Sequence, residues 1–164
     1  MIEPKIVVDM KELKDLTEAF PTIARNAKKA KLTEAIELLY AAIVEETPRG
    51  AGPVHIADTI FRKVSTSGEQ MSGLLGTPAV YGMPLELGSR PHFPPIDPIE
   101  HWVERKLGIV GKASRSVAFL IARKIARKGT DAAKMFERGF EKKAGSVIAI
   151  LEQIPEDIVR RFKK

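Results

Sequence analysis

Two histidines and three carboxylates lie close together near the middle of the chain and are the most obvious candidates for a metal or catalytic site. His92 and His101 share one short stretch with Asp97, Glu100 and Glu104. On a helix, Glu100, His101 and Glu104 would fall within about one turn, where such side chains could bind a metal ion. The spacing matches no metal-ligand signature, and the chain has no cysteine to supply a thiolate. The sequence therefore predicts no metal and no other cofactor.

Glu86 is the one other acid that stands out, because it lies between Leu85 and Leu87. A structural carboxylate near a partner lysine is the favoured interpretation, and a catalytic acid is the alternative. The chain has no HExxH, GxxxxGK[ST], GxSxG or strand-linked GxGxxG motif, and its serines and histidines show no triad spacing. We therefore predict that the protein is not an enzyme; a small hydrolase that uses Glu86, or the group of Glu100, His101 and Glu104, is the alternative.

The charge of the chain is unevenly distributed. Residues 1–100 contain 11 Lys and Arg against 14 Asp and Glu, whereas residues 101–164 contain 16 against 7. A basic C-terminal third can attract nucleic acid, an acidic protein or a membrane surface, or it can simply be solvated. No apolar run approaches the length of a membrane span, and the N-terminus lacks the pattern of a signal peptide. We expect no membrane partner and synthesis in the cytoplasm.

The basic character is concentrated in a predicted helix over residues 114–128. Its apolar stripe is expected to pack on the sheet or on neighbouring helices and consists of Val117, Leu120, Ile121 and Ile125. The remaining face carries a basic ridge of four cations: Arg123, Lys124, Arg127 and Lys128. Few aromatic residues are available for stacking, and no recognition helix is evident. Any nucleic acid would therefore be contacted at its phosphate backbone, without sequence preference.

The pattern of apolar residues predicts an α+β fold in a single domain over residues 1–164, in which a long N-terminal amphipathic helix and C-terminal helices pack on a small antiparallel sheet. Helices are expected over residues 10–46, with an interruption at Pro21. A β-hairpin follows over residues 56–77, with Ser67, Gly68 and Glu69 as its connection. Residues 79–97 form a proline-rich docking segment, and residues 98–164 are helical.

The helical C-terminal part begins with clear start and stop signals. Asp97, Pro98 and Glu100 have the order of an N-cap, a first-turn proline and a capping-box acid, and Gly108 is placed to end the helix. The last helical region is expected to break at Pro155 and leave a short basic tail. Its inward residues are predicted to be Phe136, Phe140, Val147, Ile148 and Leu151.

The order of these segments resembles the tail-completion, or neck, proteins of long-tailed bacteriophages. The resemblance covers residues 5–142 and rests on a long N-terminal helix leading into TPRGAG and a hairpin. The next segment, VYGMPLELGS at residues 80–89, resembles the family in that a tyrosine begins a short helix and a glutamate precedes a glycine. The proline-rich approach RPHFPPIDPIEHWV and the helices around AFLIARKIARKGTDAAKMFERGF complete the match.

This resemblance implies a structural virion protein that forms a ring in the phage neck and joins the DNA-filled head to the tail. The implied partners are other copies of the chain, in a hexamer or alternatively a dodecamer, together with head-completion or adaptor proteins and tail terminator or tube proteins. It also implies location in the virion neck, after synthesis in the bacterial host, and possible non-specific contact with the genomic DNA.

The proline-rich segment is expected to dock on a neighbouring copy, because prolines reduce the conformational entropy that assembly removes. The interface residues implied are Phe93, Ile96 and Trp102 as anchors, with Tyr81 and Glu86 beside them. Alternatively, the segment folds back over the core of its own domain. The basic ridge could line the ring lumen, and a free, non-specific DNA-binding protein that uses this ridge is the alternative function.

Overall fold

The computed structural model describes residues 10–50, 55–68 and 70–163, with side chains of the first range from Phe20 onward. In chain order, the elements up to residue 87 are α1 (Met10–Glu46), α2 (Ile56–Thr59), β1 (Phe61–Ser67), β2 (Gln70–Gly76) and α3 (Gly82–Leu87). The elements after residue 87 are the helices α4 (Ile96–Leu107), α5 (Lys112–Lys128), α6 (Met135–Glu152) and α7 (Ile154–Phe162). The fold is α+β, as the sequence predicts, and α1 is the element on which β1, β2, α6 and α7 pack.

Helix α1 is continuous, so the predicted interruption at Pro21 is wrong. Proline lacks the backbone N–H, but a helix can lose one hydrogen bond when the rest of its length is held by packing. The end of α1 at Glu46 agrees with the turn signal that follows it. Thr47 is buried there, and its hydroxyl donates to the carbonyl of Ile43 at 2.6 Å. The buried face of α1 is Ala27, Ala35, Ile36, Leu39, Ala42 and Ile43.

Helix α6 lies against the C-terminal half of α1, and a glycine permits the close approach. A Cβ at Gly139 would lie 2.9 Å from both the backbone N and the Cα of Ile43. Met135 is fully buried beside Thr47. Phe140 and Ile148 are more than half exposed, so their predicted inward placement is wrong. Met135 and Gly139 lie on the face of α6 that packs on α1. Phe140 follows Gly139 directly and therefore points away from that face.

The segment after Pro155 is a helix and not the short tail predicted from the sequence. Pro155 lies in the first turn of α7, where its missing N–H has no helical partner to lose. Helix α7 packs on α1. Asp157 is buried and forms ion pairs with Arg160 and Arg161 on the same helix. The guanidinium groups of Arg161 and Arg160 hold the pKa of the Asp157 carboxyl below its usual range.

Asp157 should make stability depend on pH in acid. A carboxyl whose pKa is lower in the folded chain stabilises the fold fully above its unfolded pKa of about 3.9. This contribution is lost as the pH falls through the folded pKa. We expect Asp157→Asn to lower the melting temperature at neutral pH, and the difference from wild type to shrink below about pH 4. Thermal unfolding across the acid range measures this; an equal difference at all pH values would contradict it.

The β-hairpin is shorter than predicted. Residues 56–59 form the single turn of α2, in which the Asp58 carboxylate accepts the backbone N–H of His55, and β1 begins only at Phe61. Ser67 pairs with Gln70, so the connection has two residues and not three. Gly73 allows β2 to approach α1, because a Cβ there would lie 2.3 Å from Cδ1 of Ile36. Its low strand propensity is thus offset by helix–sheet packing.

Candidate assembly surface

Helices α4 and α5 form a helical hairpin. A short glycine-containing loop reverses the chain between them, and small residues on α5 allow the two helices to pack closely. The four-residue loop, residues 108–111, begins and ends with glycines at positive φ, of which Gly108 is left-handed and ends α4 as predicted. Helix α4 starts at Ile96, however, so Asp97 lies in its first turn and is not the N-cap. Helix α5 starts at Lys112, and the residues it buries at four-residue spacing are Ser114, Ala118 and Ala122. These small side chains let α4 approach closely and bury Val103.

Polar contacts tie the two helices together near the loop. The buried Ser114 hydroxyl lies 2.6 Å from the carbonyl oxygen of Gly111, 3.1 Å from Oε1 of Glu100 and 3.2 Å from Oε1 of Glu104. A hydroxyl has one proton, so it donates to one of these oxygens at a time. Arg115 adds an ion pair to the other oxygen of Glu100 at 2.9 Å. Glu100 therefore holds α5 and is not the capping-box residue predicted from the sequence.

The α4–α5 hairpin is set apart from the rest of the described chain. Its helices pack on each other, and within the described residues neither packs extensively on α1, the β-hairpin, α6 or α7. The chain enters and leaves through one crossing, where Ser89 and Thr130 each donate a backbone N–H to the other's carbonyl at 3.1 Å. We call residues 89–130 the arm and the pair of segments 88–89 and 129–130 the arm root.

Two glycines make the arm root possible. Gly88 has φ 76° and ψ 176°, and Gly129 has φ 74° and ψ −158°, a region that is essentially restricted to glycine. A Cβ at Gly129 would lie 1.9 Å from the carbonyl oxygen of Ser89, and one at Gly88 would lie 2.5 Å from that of Thr130. The two backbones therefore touch where no side chain fits. Gly129 also ends α5, whose last residue, Lys128, agrees with the helix predicted over residues 114–128.

Glu86 caps helix α6 from a distant part of the sequence. Its carboxylate accepts the backbone N–H groups of Phe136 at 3.0 Å and Glu137 at 3.1 Å. These are N–H groups that the first turn of a helix leaves unpaired, and the helix dipole favours an anion there. Glu86 therefore has a structural role, but its partner is the N-terminus of α6 and not the lysine that was predicted. Residues 130–134 are not helical and lie beside α3, where the backbone N–H groups of Ala133 and Lys134 donate to the carbonyls of Leu85 and Glu86.

Removing this cap should destabilise the protein measurably. We expect Glu86→Ala to lower the free energy of unfolding by about 1 to 2 kcal/mol, because two N–H donors lose their acceptor and the dipole loses its counter-charge. Glu86→Gln keeps one oxygen acceptor and should lose less. Urea unfolding of both variants measures the difference. Equal stability of Glu86→Ala and wild type would show that the cap contributes nothing.

The arm carries three half-exposed aromatic side chains, Phe93, Phe119 and Trp102, which include two of the predicted anchors and which we refer to together as the aromatic face. Phe93 is 55% exposed, and its ring centroid lies 6.1 Å from that of Phe119 on α5. Trp102 on α4 is 42% exposed, and Ile96 is partly buried at the start of the same helix. Phe93 therefore packs on α5, whereas the first part of the predicted docking segment packs on its own chain, with Gly82 buried against Thr77 and Ile56. The sequence missed Phe119, because helical periodicity alone does not show which face of α5 meets Phe93.

A second apolar surface surrounds α3. Val80 is 93% exposed, and Met83 and Leu87 on α3 are also largely exposed. They border a shallow groove of about 520 Å³ whose other walls include Leu75 and Phe136. Tyr81, one of the predicted interface residues, directly precedes α3 and is half-exposed. Large side chains so exposed in one neighbourhood mark a site of protein contact more often than chance.

The four cations of the basic ridge lie together on the exposed face of the last turns of α5. Among the described residues none of the four has an ion pair or hydrogen-bond partner for its side chain. They share a shallow depression of about 250 Å³ with Leu120. Leu120 is itself exposed, so the predicted stripe of α5 is displaced toward Ala118 and Ala122.

The histidines of the central stretch do not converge on the acids. His92 pairs through Nδ1 with the carbonyl of Arg90 at 2.9 Å, and His101 is exposed on α4. In the described part of the chain no three histidines or carboxylates are placed to hold a metal ion. None of the helices described is long and apolar enough to cross a membrane.

Comparison with known proteins adds no relative. No family model matches the chain, and neither curated proteins nor solved structures include a match to it.

Proposed function

We propose that the chain is a structural virion protein that forms a ring in the neck of a long-tailed bacteriophage and joins the DNA-filled head to the tail. The observation that carries the proposal is the arm, which stands outside the packed elements and presents Phe93, Phe119 and Trp102 half-exposed. An aromatic face on a projecting hairpin gains most when a partner buries it. The resemblance of residues 5–142 to neck proteins supplies the biological setting.

A ring requires that one surface of each copy meet a different surface of the next. The arm face and the α3 surface at Val80, Met83 and Leu87 lie on different elements and offer such a pair. A hexamer would match a six-fold tail tube, and a dodecamer would match a twelve-fold portal. The further partners are the head-completion or adaptor protein on one side and the tail terminator or tube protein on the other.

The arm root suits this use because the backbone hydrogen bonds between Ser89 and Thr130 join the two chain segments at the base of the arm. Gly88 and Gly129 permit this close approach, and the prolines around Phe93 restrict the backbone before α4. A surface that is already ordered loses less entropy when it binds. Rigid projection therefore favours assembly without adding contacts.

Immunogold labelling of purified particles tests the location. A small epitope tag on the chain should place gold at the junction of head and tail, and untagged particles should carry none. Label on tail fibres or on the capsid, or absence of the chain from finished particles, would overturn the proposal.

A further inference from the structure

We infer that the basic ridge of α5, formed by Arg123, Lys124, Arg127 and Lys128, binds the phosphate backbone of double-stranded DNA without sequence preference. The inference uses none of the three aromatic residues of the arm and does not depend on the neck proposal.

Unlike Arg115 and Lys142, the four ridge cations have no carboxylate partner among the described residues. On the same helix, Arg115 is paired with Asp97 and Glu100. On α6, Lys142 is paired with Glu45 and Glu46. The four ridge side chains have no such partner among the described residues, so their charge is available to an external anion. Exposed cations that need not give up an internal ion pair bind a polyanion at lower cost.

The linear charge density of the ridge matches that of duplex DNA. Residues 123 and 128 are separated by five helical steps, or about 7.5 Å along the axis of α5. Over about the same length a duplex presents about four phosphates, since it carries one charge per 1.7 Å. Four cations therefore meet about four phosphates. The pairs 123–124 and 127–128 are one turn apart and can follow the backbone together.

The surroundings of the ridge favour the backbone over the bases and favour DNA over a protein. Its depression is shallow and contains no aromatic ring, so neither base stacking nor deep insertion is available. No Asn or Gln lies on the ridge to read base edges. Leu120 is the one apolar residue that lines it, whereas the centre of a protein interface is apolar and poor in lysine.

The test measures binding of the purified full chain to short labelled duplexes by fluorescence anisotropy. We expect equal affinity for two unrelated sequences. We also expect weakening by about 150-fold between about 50 and about 200 mM salt, because four released counterions give a slope of about −3.6. Replacing all four ridge residues by glutamine should weaken binding more than about tenfold at the lower salt and flatten the slope.

The chain offers a matched control. Arg25, Lys28, Lys29 and Lys163 are also exposed, and their replacement by glutamine removes the same charge elsewhere. This control should retain most of the binding and the slope. Circular dichroism and melting temperature should match wild type in both variants, because the changed side chains have no described partner and glutamine is a good helix former.

Three results would overturn the inference. The first is no binding by the wild type at low salt, and the second is equal weakening by the ridge and control variants. The third is ridge-dependent binding to polyglutamate or to phosphatidylserine vesicles without binding to the duplex, which would assign the ridge to an acidic protein or a membrane surface. Each result is independent of the immunogold experiment, so the DNA contact and the neck location fail separately.

Discussion

Replacing Gly129 by alanine is expected to open the arm root and to be among the most damaging single changes in the chain. The backbone at Gly129 lies in a region essentially restricted to glycine, which costs another residue about 1 to 3 kcal/mol. The added Cβ would also lie 1.9 Å from the carbonyl oxygen of Ser89, and backbone atoms cannot move aside cheaply. Together these effects should lower stability by about 3 kcal/mol or more.

Hydrogen exchange locates the damage. The backbone N–H groups of Ser89 and Thr130 bond across the root, so both should exchange faster in Gly129→Ala. These two amides should lose more protection than amides of α1 beside Gly139, because the added Cβ clashes at the root itself. Gly111→Ala is the matched control. It has a similar backbone conformation, with φ 69° and ψ −144°, but nothing lies within 4 Å of its added Cβ.

The difference between the two glycine variants isolates the contact of backbone with backbone. Gly111→Ala should show the conformational strain alone, about 1 to 3 kcal/mol. If Gly129→Ala is no less stable than Gly111→Ala and leaves the Ser89 and Thr130 amides protected, the crossing does not hold the arm.

Replacing Phe93 and Trp102 by alanine together should remove the chain from assembled particles while leaving the monomer folded. Both side chains are about half exposed, so truncation should cost each only about 1 kcal/mol of folding free energy. At an interface, a buried aromatic anchor commonly contributes about 2 kcal/mol or more. The loss of two should therefore weaken assembly by more than a hundredfold at about 1.4 kcal/mol per factor of ten.

Phe140 gives a control of the same type and exposure away from the arm. It lies on α6 and is 55% exposed, as Phe93 is. Phe140→Ala should cost similar stability and still enter particles. The measurements are thermal unfolding of the purified variants and the amount of each variant in particles made by a phage that depends on it. A large loss of monomer stability in the double variant would instead make Phe93 and Trp102 part of the core.

Elements with strong local signals could be predicted from the sequence. The periodicity of α1 and the terminal glycines of α4 and α5 are local features, so Gly108 and Gly129 were identified correctly. A proline such as Pro155 can end a helix or occupy the first turn of a new one. The sequence alone does not distinguish the two cases, and here the packing of α7 on α1 favours the second. A hairpin forms within the predicted range of residues 56–77, but it begins only at Phe61, because residues 56–59 form the helical turn of α2 that depends on the Asp58 contact.

Features that depend on distant contacts could not be predicted. Glu86 meets the N-terminus of α6 about fifty residues later, and no local pattern announces such a cap. The sequence also does not predict that the arm is separate from the other elements. An apolar stripe on α5 has the same residue pattern whether the helix packs on the sheet or on α4 alone. The spacing of Ser114, Ala118 and Ala122 was the available signal, since small residues four apart favour close helix contact.

The two candidate functions differ in what they require of the arm. A free DNA-binding protein needs only the basic ridge, so loss of Phe93 and Trp102 would leave its activity intact. A neck protein needs the aromatic face and the arm root for assembly, whether or not the ridge touches the genome. Variants of the two surfaces should therefore give separable defects.

Electron microscopy of a lysate tests the central claim most directly. The gene for this chain is interrupted in the phage that encodes it, and a plasmid copy is supplied in the control. The account predicts separate DNA-filled heads and finished tails in the mutant lysate, with joined particles restored by the plasmid. Normal joined particles in the absence of the chain would contradict it.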